Sequence, residues 1–407
     1  GPLLDSSGNI IASDNEMAEE FNRCFSSAFG KDGNIRTEPP SSFFCDDPLT
    51  TVHFTPDAVE DKLKALKPFS APGPDKIHPR LLRACASELA SPLSTIYNKS
   101  MMEGTLPMDW KSTNVSPIFK KGRKNCPSNY RPINVASVVG KIMEGIIKDE
   151  ILNHLHKHNI IQDSQHGFLP RRSCSTNLVD YLNIVTKTLD RGASFDVILV
   201  DFAKAFDKVP FDGMLAKAKA HGIDGELLLW LHDWTKNRRQ RVVINGAEST
   251  WTDVLSSVVQ GSVLGPILFL IYINDLDAEI VSADGSIYIS KYADDTKLGR
   301  EIVDATDSMK LQKGIDKLVQ WCQDWGMSLH PDKCRVHFGS KNPRNTYNID
   351  GSQVQPADVV RDLGLYVSNN CKPSAHVDKI TKKAHGVLFQ IRHNIIVRDA
   401  LTIKDLY

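Results

Sequence analysis

The sequence lacks any apolar stretch long enough to cross a membrane as a helix, which takes about 20 residues. The longest candidate, Val263 to Ile273, is short and is interrupted by Gly265 and Pro266. The chain also lacks the basic and then apolar start of a secretory signal peptide. A membrane-spanning or secreted protein is therefore not expected, and an intracellular one is.

Closely spaced cysteines are also missing. The eight cysteines are spread along 407 residues, and no two of them lie two or three residues apart. Short Cys spacings are typical of structural zinc sites, and dense Cys pairs are typical of small disulfide-rich domains. Neither class is indicated, so we expect the cysteines to act as small apolar residues in a reducing compartment.

Net charge is absent overall, with 49 basic and 49 acidic residues, but the two signs are unevenly distributed. Residues 1–61 hold 12 acidic and three basic residues, whereas residues 111–148 hold eight basic residues and one acidic residue. A basic block of this kind is either a solvated surface or an electrostatic footprint for phosphates. Composition leaves both interpretations open.

What is present is an irregular alternation of strand and helix patterns in a chain long enough for two or three subdomains. Helices are predicted over 14–28, 55–66, 79–97, 137–158, 175–190, 211–235, 262–276, 306–325 and from 374 onward. Strands are predicted over 115–119, 197–201, 241–246, 286–290, 335–339 and within 359–367. This order favours an α+β fold with an antiparallel sheet over a doubly wound fold.

Acidic residues stand at the ends of two predicted strands. Asp201 follows an apolar run, and Asp294 and Asp295 lie at the tip of a predicted hairpin. Carboxylates suit Mg²⁺, and two such ions about 3.5–4 Å apart can activate a hydroxyl and stabilise a leaving pyrophosphate. A surface turn at Asp294–Asp295 and a helix cap at Asp201 would explain the same residues without chemistry. Residue types alone leave that choice open.

The order of motifs around these acids resembles motifs A, B and C of reverse transcriptases. The three segments are Val200-Asp-Phe-Ala-Lys-Ala-Phe-Asp-Lys-Val209, Val259-Gln-Gly-Ser-Val-Leu-Gly-Pro266 and Lys291-Tyr-Ala-Asp-Asp-Thr296. Similar segments lie upstream at 70–77, 129–133 and 165–168, and downstream at 329–333 and 362–365. Together they span residues 55–390 and are similar to non-LTR retrotransposon enzymes of the Jockey and chicken-repeat kind.

The resemblance implies an RNA-directed DNA polymerase with a right-hand architecture. Its parts would be an N-terminal helical extension and linker at 1–54, fingers at 55–190, a palm with motifs A to E and some fingers insertions at 191–373, and the start of a thumb at 374–407. It also implies two Mg²⁺ ions, with Mn²⁺ as a substitute, and as partners an RNA template, a DNA primer and deoxynucleoside triphosphates, without a membrane.

The resemblance further concerns the cellular setting and the chain ends. Relatives prime synthesis from a nicked chromosomal end, which implies nuclear action, and carry an endonuclease on the same polypeptide for which this sequence shows no counterpart. Gly1-Pro2 lacks an initiator Met, and the chain stops at Tyr407 where relatives continue. We therefore expect a processed or engineered start and a truncated thumb.

Individual roles follow from the same resemblance. Asp201, Asp294 and Asp295 would bind metal with the backbone carbonyl of Phe202, and Lys333 would protonate the departing pyrophosphate. The residues expected at the nucleotide are Lys120, Arg131, Phe206, Gln260 and Gly261. Those expected to contact nucleic acid are Lys121, Arg123, Arg238, Arg239 and Arg241.

Each role has a plainer alternative. The Phe206 ring would exclude a 2′-hydroxyl, but an aromatic residue there also suits core packing. Gly261 would let the backbone approach a base or sugar closely. Arg131 can grip phosphate oxygens with two donors, whereas Lys333 is equally a surface residue, in a segment where His330 replaces the Asn of relatives.

Two other functions remain open. One is a polymerase fold that only binds RNA, although every expected acidic residue is present. The other is RNA synthesis on RNA, whose enzymes typically carry Gly-Asp-Asp and lack the aromatic residue at the sugar.

Overall fold

The structure, a computed structural model, describes residues 1–5, 7–29, 36–38, 46–255, 261–281, 286–330, 335–337, 339 and 342–394. These residues form two five-stranded sheets, three two-stranded ribbons and the helices packed around them. The prediction of a mixed fold with an antiparallel sheet is confirmed.

The acidic N-terminal segment packs on protein. It comprises β1 (Leu3–Leu4), β2 (Ile10–Ile11) and α1 (Asp14–Ser26). The Ser13 side chain caps α1 by accepting the N–H of Glu16 at 3.3 Å. Phe21 and Phe25, four residues apart on one helix face, contact Val115 and Val242. An otherwise isolated helix is thereby anchored to the sheet that follows.

The next part of the chain is mostly helical around a long hairpin. Its elements are α2 (Pro56–Lys64), α3 (Pro79–Ala84), α4 (Ala86–Glu103), α5 (Met108–Lys111), β3 (Ser112–Phe119), β4 (Tyr130–Ala136), α6 (Val138–Lys157) and α7 (Cys174–Asp190). The helical prediction over 79–97 is confirmed except at one residue. The backbone of Cys85 has φ −104° and ψ 31°, which ends α3 and separates it from α4.

The middle of the chain supplies a strand that ends just before Asp201 and a second set of helices. Its elements are β5 (Ser194–Val200), α8 (Ala205–Lys208), α9 (Phe211–Ala220), α10 (Gly225–Thr235), β6 (Arg239–Ile244), β7 (Ala247–Glu248) and β8 (Thr252–Asp253). The helical prediction over 211–235 is confirmed for α9 and α10 but not for the four residues between them. Gly222 and Gly225 have φ values of +82° and +59°, so the chain turns between α9 and α10.

The last part contains the buried helix and the remaining strands. Its elements are α11 (Gly265–Ile273), α12 (Leu276–Val281), β9 (Tyr288–Tyr292), β10 (Asp295–Ile302), α13 (Ala305–Asp324), β11 (Arg335–His337), β12 (Asn348–Ile349), β13 (Ser352–Gln353), β14 (Gln355–Pro356), β15 (Val359–Asp362), β16 (Leu365–Ser368) and α14 (Ser374–Asn394). The helices and strands predicted over 137–158, 175–190, 286–290 and 306–325 are confirmed to within a few residues.

Two sheets organise these elements. The central sheet has the order β14-β11-β5-β10-β9, and all its pairs are antiparallel except β11 with β14. The N-terminal sheet has the order β4-β3-β6-β7, with β8 also paired to β6, and β3 and β6 run parallel. The tip of the central sheet at β9 and β10 is the part that positions the acidic residues.

The apolar run of α11 lies in the main core. Residues 267–273 of this helix are all buried, and they share one core cluster with Trp230, Trp234 and Trp321. Among the described residues, no helix combines the length and apolar character that a bilayer crossing requires. The stretch is hydrophobic on all sides because protein surrounds it.

Candidate active site

Strand register brings the three acidic residues to one corner of the central sheet. Val200 on β5 lies opposite Thr296 on β10. The next residue along β5 is Asp201 and the preceding one on β10 is Asp295, so the antiparallel pairing sets these two side by side. Asp294 lies in the turn next to them.

The turn that carries Asp294 has an unusual backbone. Tyr292 on β9 pairs with Asp295 on β10, which leaves Ala293 and Asp294 as a two-residue connection. Two-residue hairpins favour positive φ at their centre, and Ala293 has φ +56°. A residue with a side chain seldom adopts this conformation without support from its surroundings. The predicted hairpin tip is confirmed, and the neighbours that stabilise its left-handed residue are described below.

The acidic corner opens into a cleft of about 650 Å³. Asp201 and Asp295 line one side of it. Arg131 and the loop after Asp362 line other parts. A polyanionic ligand in this cleft would therefore meet carboxylates and a guanidinium within one concavity.

The two carboxylates of the turn have raised pKa values. Desolvation, followed by the negative charges of Asp294, Asp362 and Asp201, raises the pKa of Asp295 to about 6. Desolvation and the charge of Asp201 likewise raise the pKa of Asp294, while the positive charges of Arg131 and Lys120 oppose the rise. Asp295 is exposed and lines the cleft, and the neighbouring negative charges act on its pKa in the same direction as desolvation.

The donor set fits divalent cations held jointly with a ligand. Among the described residues, none of the ion pairs involves Asp294 or Asp295. Among the same described residues, no group of three or more His, Cys, Asp or Glu side chains is arranged to hold a metal ion by itself. Mg²⁺ commonly uses one or two carboxylates and takes its other oxygens from water and substrate phosphates. An open corner of repelling carboxylates matches that type of site.

The segment that precedes Lys333 lies along the first acidic strand. The N–H of His330 donates to the carbonyl of Asp201 at 2.9 Å, and that of Ala203 donates to the carbonyl of Ser328 at 2.8 Å. Phe202 forms a bridge with Leu329 between these bonds. Lys333 itself and Gln260 lie outside the described residues.

The expected phosphate-binding residues occupy the hairpin of β3 and β4. Arg131 and Lys120 lie close enough to Asp294 for their charges to lower its pKa. Lys121 and Arg123 are exposed at the tip of the hairpin. The basic block noted in the sequence therefore includes residues that face the acidic corner.

Phe206 is fixed between two other aromatic rings. It is half-buried and stacks on Phe269 of α11, with ring centroids 4.4 Å apart and planes inclined by 19°. Phe168 meets it edge-on at 6.3 Å. This packing agrees with the plainer alternative and also holds the ring in one orientation, which a sugar gate requires.

Gly261 is required by the protein itself. Its φ is +100°, and a Cβ at this position would lie 2.6 Å from the carbonyl oxygen of Asn134. The close approach that glycine permits is thus to the backbone of β4, next to Arg131 and its neighbours. The side-chain Oδ1 of Asn134 is buried and has no hydrogen-bond partner among the described residues.

The arginines expected to contact nucleic acid do not share one environment. Arg238 is 2% exposed, donates to the carbonyl of Trp234 at 3.1 Å and stacks over its ring. Arg239 and Arg241 instead lie over Trp251, with guanidinium carbons 4.7 and 4.6 Å from the ring centroid. The structure brings these two together and places Arg238 in the interior.

Two site-supporting residues had no role in the sequence analysis. Glu144 accepts hydrogen bonds from the Trp234 indole at 2.9 Å and from the N–H of Val263 at 2.8 Å, just before α11. Gln165 accepts one from the N–H of Ala293 at 2.9 Å. The only signals were the single acidic residue in the basic block and the resemblance of residues 165–168 to a family motif.

Comparison with known proteins agrees with this geometry. Residues 118–367 match the family described as Reverse transcriptase (RNA-dependent DNA polymerase). The RNA-directed DNA polymerases from mobile element jockey of Drosophila melanogaster and Drosophila funebris are 26% and 28% identical, each over 88% of this chain.

A further relative is the probable RNA-directed DNA polymerase from transposon X-element of Drosophila melanogaster, which is 25% identical over 99% of this chain. The chain spans 39% of the length of each jockey protein and 46% of the X-element protein. Because the family match covers well over half of the sequence and includes the acidic corner, the chain belongs to the reverse transcriptase (RNA-dependent DNA polymerase) family.

Proposed function

We propose that the chain is the polymerase part of a non-LTR retrotransposon protein and adds deoxynucleotides to a primer 3′-hydroxyl on an RNA template. The observation that carries this proposal is the register that sets Asp201 beside Asp294–Asp295 at the edge of an open cleft. Relatives named as polymerases of mobile elements support the choice of template and product.

The proposed architecture is a right hand with the boundaries expected from the sequence. Residues 55–190 would form the fingers and 191–373 the palm around the central sheet. Residues 1–54 would be an extension packed on the fingers through α1, and 374–407 would begin the thumb. The helix α14 buries none of its residues, as expected of an element whose contacts lie with nucleic acid or with further protein.

The acidic residues would hold two Mg²⁺ ions, with Mn²⁺ as an alternative. When bound, the ions would lower the pKa of the primer hydroxyl and stabilise the leaving pyrophosphate. Asp201, Asp294 and Asp295 supply the carboxylates and Phe202 a backbone carbonyl. Lys333 would donate a proton to pyrophosphate, and the Asp201–His330 backbone bond places the start of its segment beside the metal-binding strand.

The basic hairpin would hold the triphosphate. Arg131 lines the same cleft as Asp201 and Asp295, and its planar guanidinium can bind two phosphate oxygens. Lys120 adds a second charge near Asp294. Gln260 and Gly261 would lie at the base or sugar, and the fixed ring of Phe206 would clash with a 2′-hydroxyl.

The face of the N-terminal sheet that carries Arg131 also carries a second group of basic residues. Asn114 of β3 pairs with Arg241, and Ile118 of β3 pairs with Arg131. Residues 114 and 118 are four positions apart on one strand, so Arg131 and Arg241 point to the same face of the sheet. Arg239, Arg241 and the exposed Trp251 would contact nucleic acid there by charge and stacking. Lys121 and Arg123 would add backbone contacts, whereas Arg238 would act by supporting Trp234.

The wider setting is also a proposal. Priming from a nicked chromosomal end would place the reaction in the nucleus, with an RNA template and a DNA primer as partners. The primer terminus would enter the cleft near the loop after Asp362.

A primer-extension assay tests the proposal. With poly(rA)/oligo(dT), Mg²⁺ and dTTP, the protein should extend the primer, and UTP should be used far less well. Phe206→Ala should relax this choice of sugar, since it removes the ring but leaves the acidic corner intact. Binding of poly(rA)/oligo(dT) without any incorporation would favour a protein that only binds RNA, and preference for UTP would favour RNA synthesis.

A further inference from the structure

The turn that carries Asp294 is supported from behind by a distant segment of the chain, residues 164–167. The N–H of Lys291 donates to the carbonyl of Ser164 at 2.7 Å, and the N–H of His166 donates to the carbonyl of Lys291 at 2.8 Å. Gln165 thereby pairs in parallel with Lys291, just before the turn. The segment acts as an extra edge partner of β9 at the point where the strand ends.

The side chain of Gln165 reaches into the turn itself. Its Oε1 accepts the N–H of Ala293 at 2.9 Å and the N–H of Gly167 at 2.8 Å. The residue is 1% exposed, so neither N–H has water as a substitute. Ala293 is the left-handed residue that turns Asp294 and Asp295 toward Asp201. One amide oxygen therefore stabilises the backbone conformation that presents both carboxylates.

The oxygen of the Gln165 amide, and not its nitrogen, supports the turn. The Nε2 of Gln165 is buried and has no hydrogen-bond partner among the described residues. A nitrogen in place of Oε1 could not accept the two N–H groups, so the orientation of the amide follows from its partners. Gly167 must also lack a side chain, since a Cβ there would lie 2.4 Å from the nitrogen of Ala293.

We infer that Gln165 is a positioning residue for metal binding, acting through Ala293 on Asp294 and Asp295. This inference rests on the proposed function. Gln165 touches neither the cleft nor any reacting group; it fixes the turn whose carboxylates would share the ions. Its loss should therefore weaken Mg²⁺ use and turnover while leaving the affinity for primer–template unchanged.

The test compares four variants by Mg²⁺ titration of primer extension and by binding of labelled primer–template. Gln165→Met keeps size and flexibility but removes the acceptor. Gln165→Glu keeps an oxygen for both N–H groups. Gln165→Asn keeps the amide on a shorter side chain. Gln240→Met removes a matched buried glutamine of the N-terminal sheet, which is 4% exposed and donates to Asn22 of α1.

We expect Gln165→Met to lower turnover or raise the Mg²⁺ concentration for half-maximal rate by about 10–100-fold, the range typical of residues that orient metal ligands. Gln165→Asn should fall between Gln165→Met and the wild type, and Gln165→Glu should recover only part of the loss, because it keeps the acceptor oxygen but buries a carboxyl group near Asp294 and Asp295. Gln240→Met should keep the Mg²⁺ midpoint of the wild type. Primer–template affinity should stay the same in all folded variants.

Several outcomes would overturn the inference. One is an unchanged Mg²⁺ midpoint and turnover in Gln165→Met, or in Gln165→Asn if the Met variant does not fold. Another is loss of primer–template affinity in parallel with rate, which would indicate general disruption. A wild-type protein without any extension activity would instead contradict the proposed function, so the two failures are distinguishable.

Discussion

Two pairs of closely spaced aspartates in this molecule have opposite surroundings. Asp295 lines a cleft with Asp294 beside it in the turn, and the described residues offer neither of them an ion pair. Asp275, by contrast, is 1% exposed and pairs with Lys217 at 2.8 Å, and its carboxylate also accepts the Trp321 indole N–H at 3.0 Å.

The second member of the buried pair also has its partners within the protein. Asp277 contacts the ammonium of Lys291 and the hydroxyl of Ser164. Lys217 is enclosed by the rings of Tyr272, Trp321 and Trp325, with its nitrogen 3.7 Å from the Trp325 centroid. The protein neutralises one pair itself and leaves the charge of the other for a ligand. Partners, rather than spacing in the sequence, distinguish a structural acid from one available for catalysis.

The largest expected effect comes from replacing one aspartate of the Asp294–Asp295 pair. Asp294→Asn removes a carboxylate that we propose binds metal; such a charge is worth several kcal/mol in the transition state, so primer extension should fall on the order of 1000-fold or more. The same change relieves repulsion with Asp201 and Asp295. The unfolding temperature without metal should therefore stay the same or rise. Extension at the wild-type rate would show that this pair is not the catalytic one.

The buried pair should give the opposite result. Asp275→Asn leaves Lys217 in the interior without its counter-charge, and breaking such pairs costs about 3–5 kcal/mol. Desolvation already lowers the pKa of Lys217 to about 8, so loss of its proton would limit the cost. Denaturant unfolding measures the effect, and the rate per folded molecule should remain near that of the wild type.

A double replacement serves as the control for Asp275→Asn. Lys217→Met with Asp275→Leu removes both charges and should be much less destabilising than the single change, because no buried charge is left unpaired. If the double variant were as unstable as the single one, the cost would lie in packing against the aromatic rings and not in charge.

The next effect concerns His221, which lies beside the buried pair. Its Nδ1 donates to the carbonyl of Lys217 at 2.6 Å, and its Nε2 accepts from the amide of Asn274 at 3.0 Å, so the neutral ring is bound. Desolvation lowers the pKa of His221. Unfolded His gains a proton below about pH 6.5 and the folded ring does so only at lower pH, hence stability is present above pH 6.5 and is lost as the pH falls.

The measurement is the free energy of unfolding between pH 7.5 and 5.5 for the wild type and His221→Gln. Each pH unit below the unfolded pKa should cost the wild type about 1.4 kcal/mol relative to the variant, until the folded pKa is reached. The comparison with the variant is needed because Asp295, whose pKa is raised to about 6, has the opposite influence on stability. Parallel pH curves would mean that His221 has the same pKa in the folded protein as in the unfolded chain.

The sequence predicts the proposed catalytic pair, Asp294 and Asp295, only through the order of its motifs. Asp275 and Asp277 follow an apolar segment much as Asp201 does, and no residue type separates them. What decides is the register of β5 and β10 and the positions of Lys217 and Lys291, which are set by long-range packing. The same reason explains why Gln165, which lies 128 residues from Ala293, had no predicted role.

Elements with strong local signals were predictable, and breaks within helices were not. The α13 segment follows clear apolar periodicity, and α6 is a long apolar-rich segment that starts at the N-cap residue Ser137; both were predicted closely. The turn between α9 and α10 was missed because its apolar pattern continues through Gly222 and Gly225. The backbone of Leu49 stabilises the turn, because its carbonyl accepts the N–H of Asp224 and its N–H donates to the carbonyl of Gly222.

The smallest expected effect comes from an ion pair that water reaches. Lys62 of α2 and Asp149 of α6 are 2.5 Å apart, closer than Lys217 and Asp275, but their side chains are 34% and 45% exposed. Water competes for both charges, so a double-mutant cycle with Lys62→Met and Asp149→Asn should give a coupling of about 0.5 kcal/mol or less, reduced further by salt. A coupling as large as that of the buried pair would mean that contact distance decides the energy. The expected result instead assigns it to burial, which is the property that separates the Lys217–Asp275 pair from the Lys62–Asp149 pair.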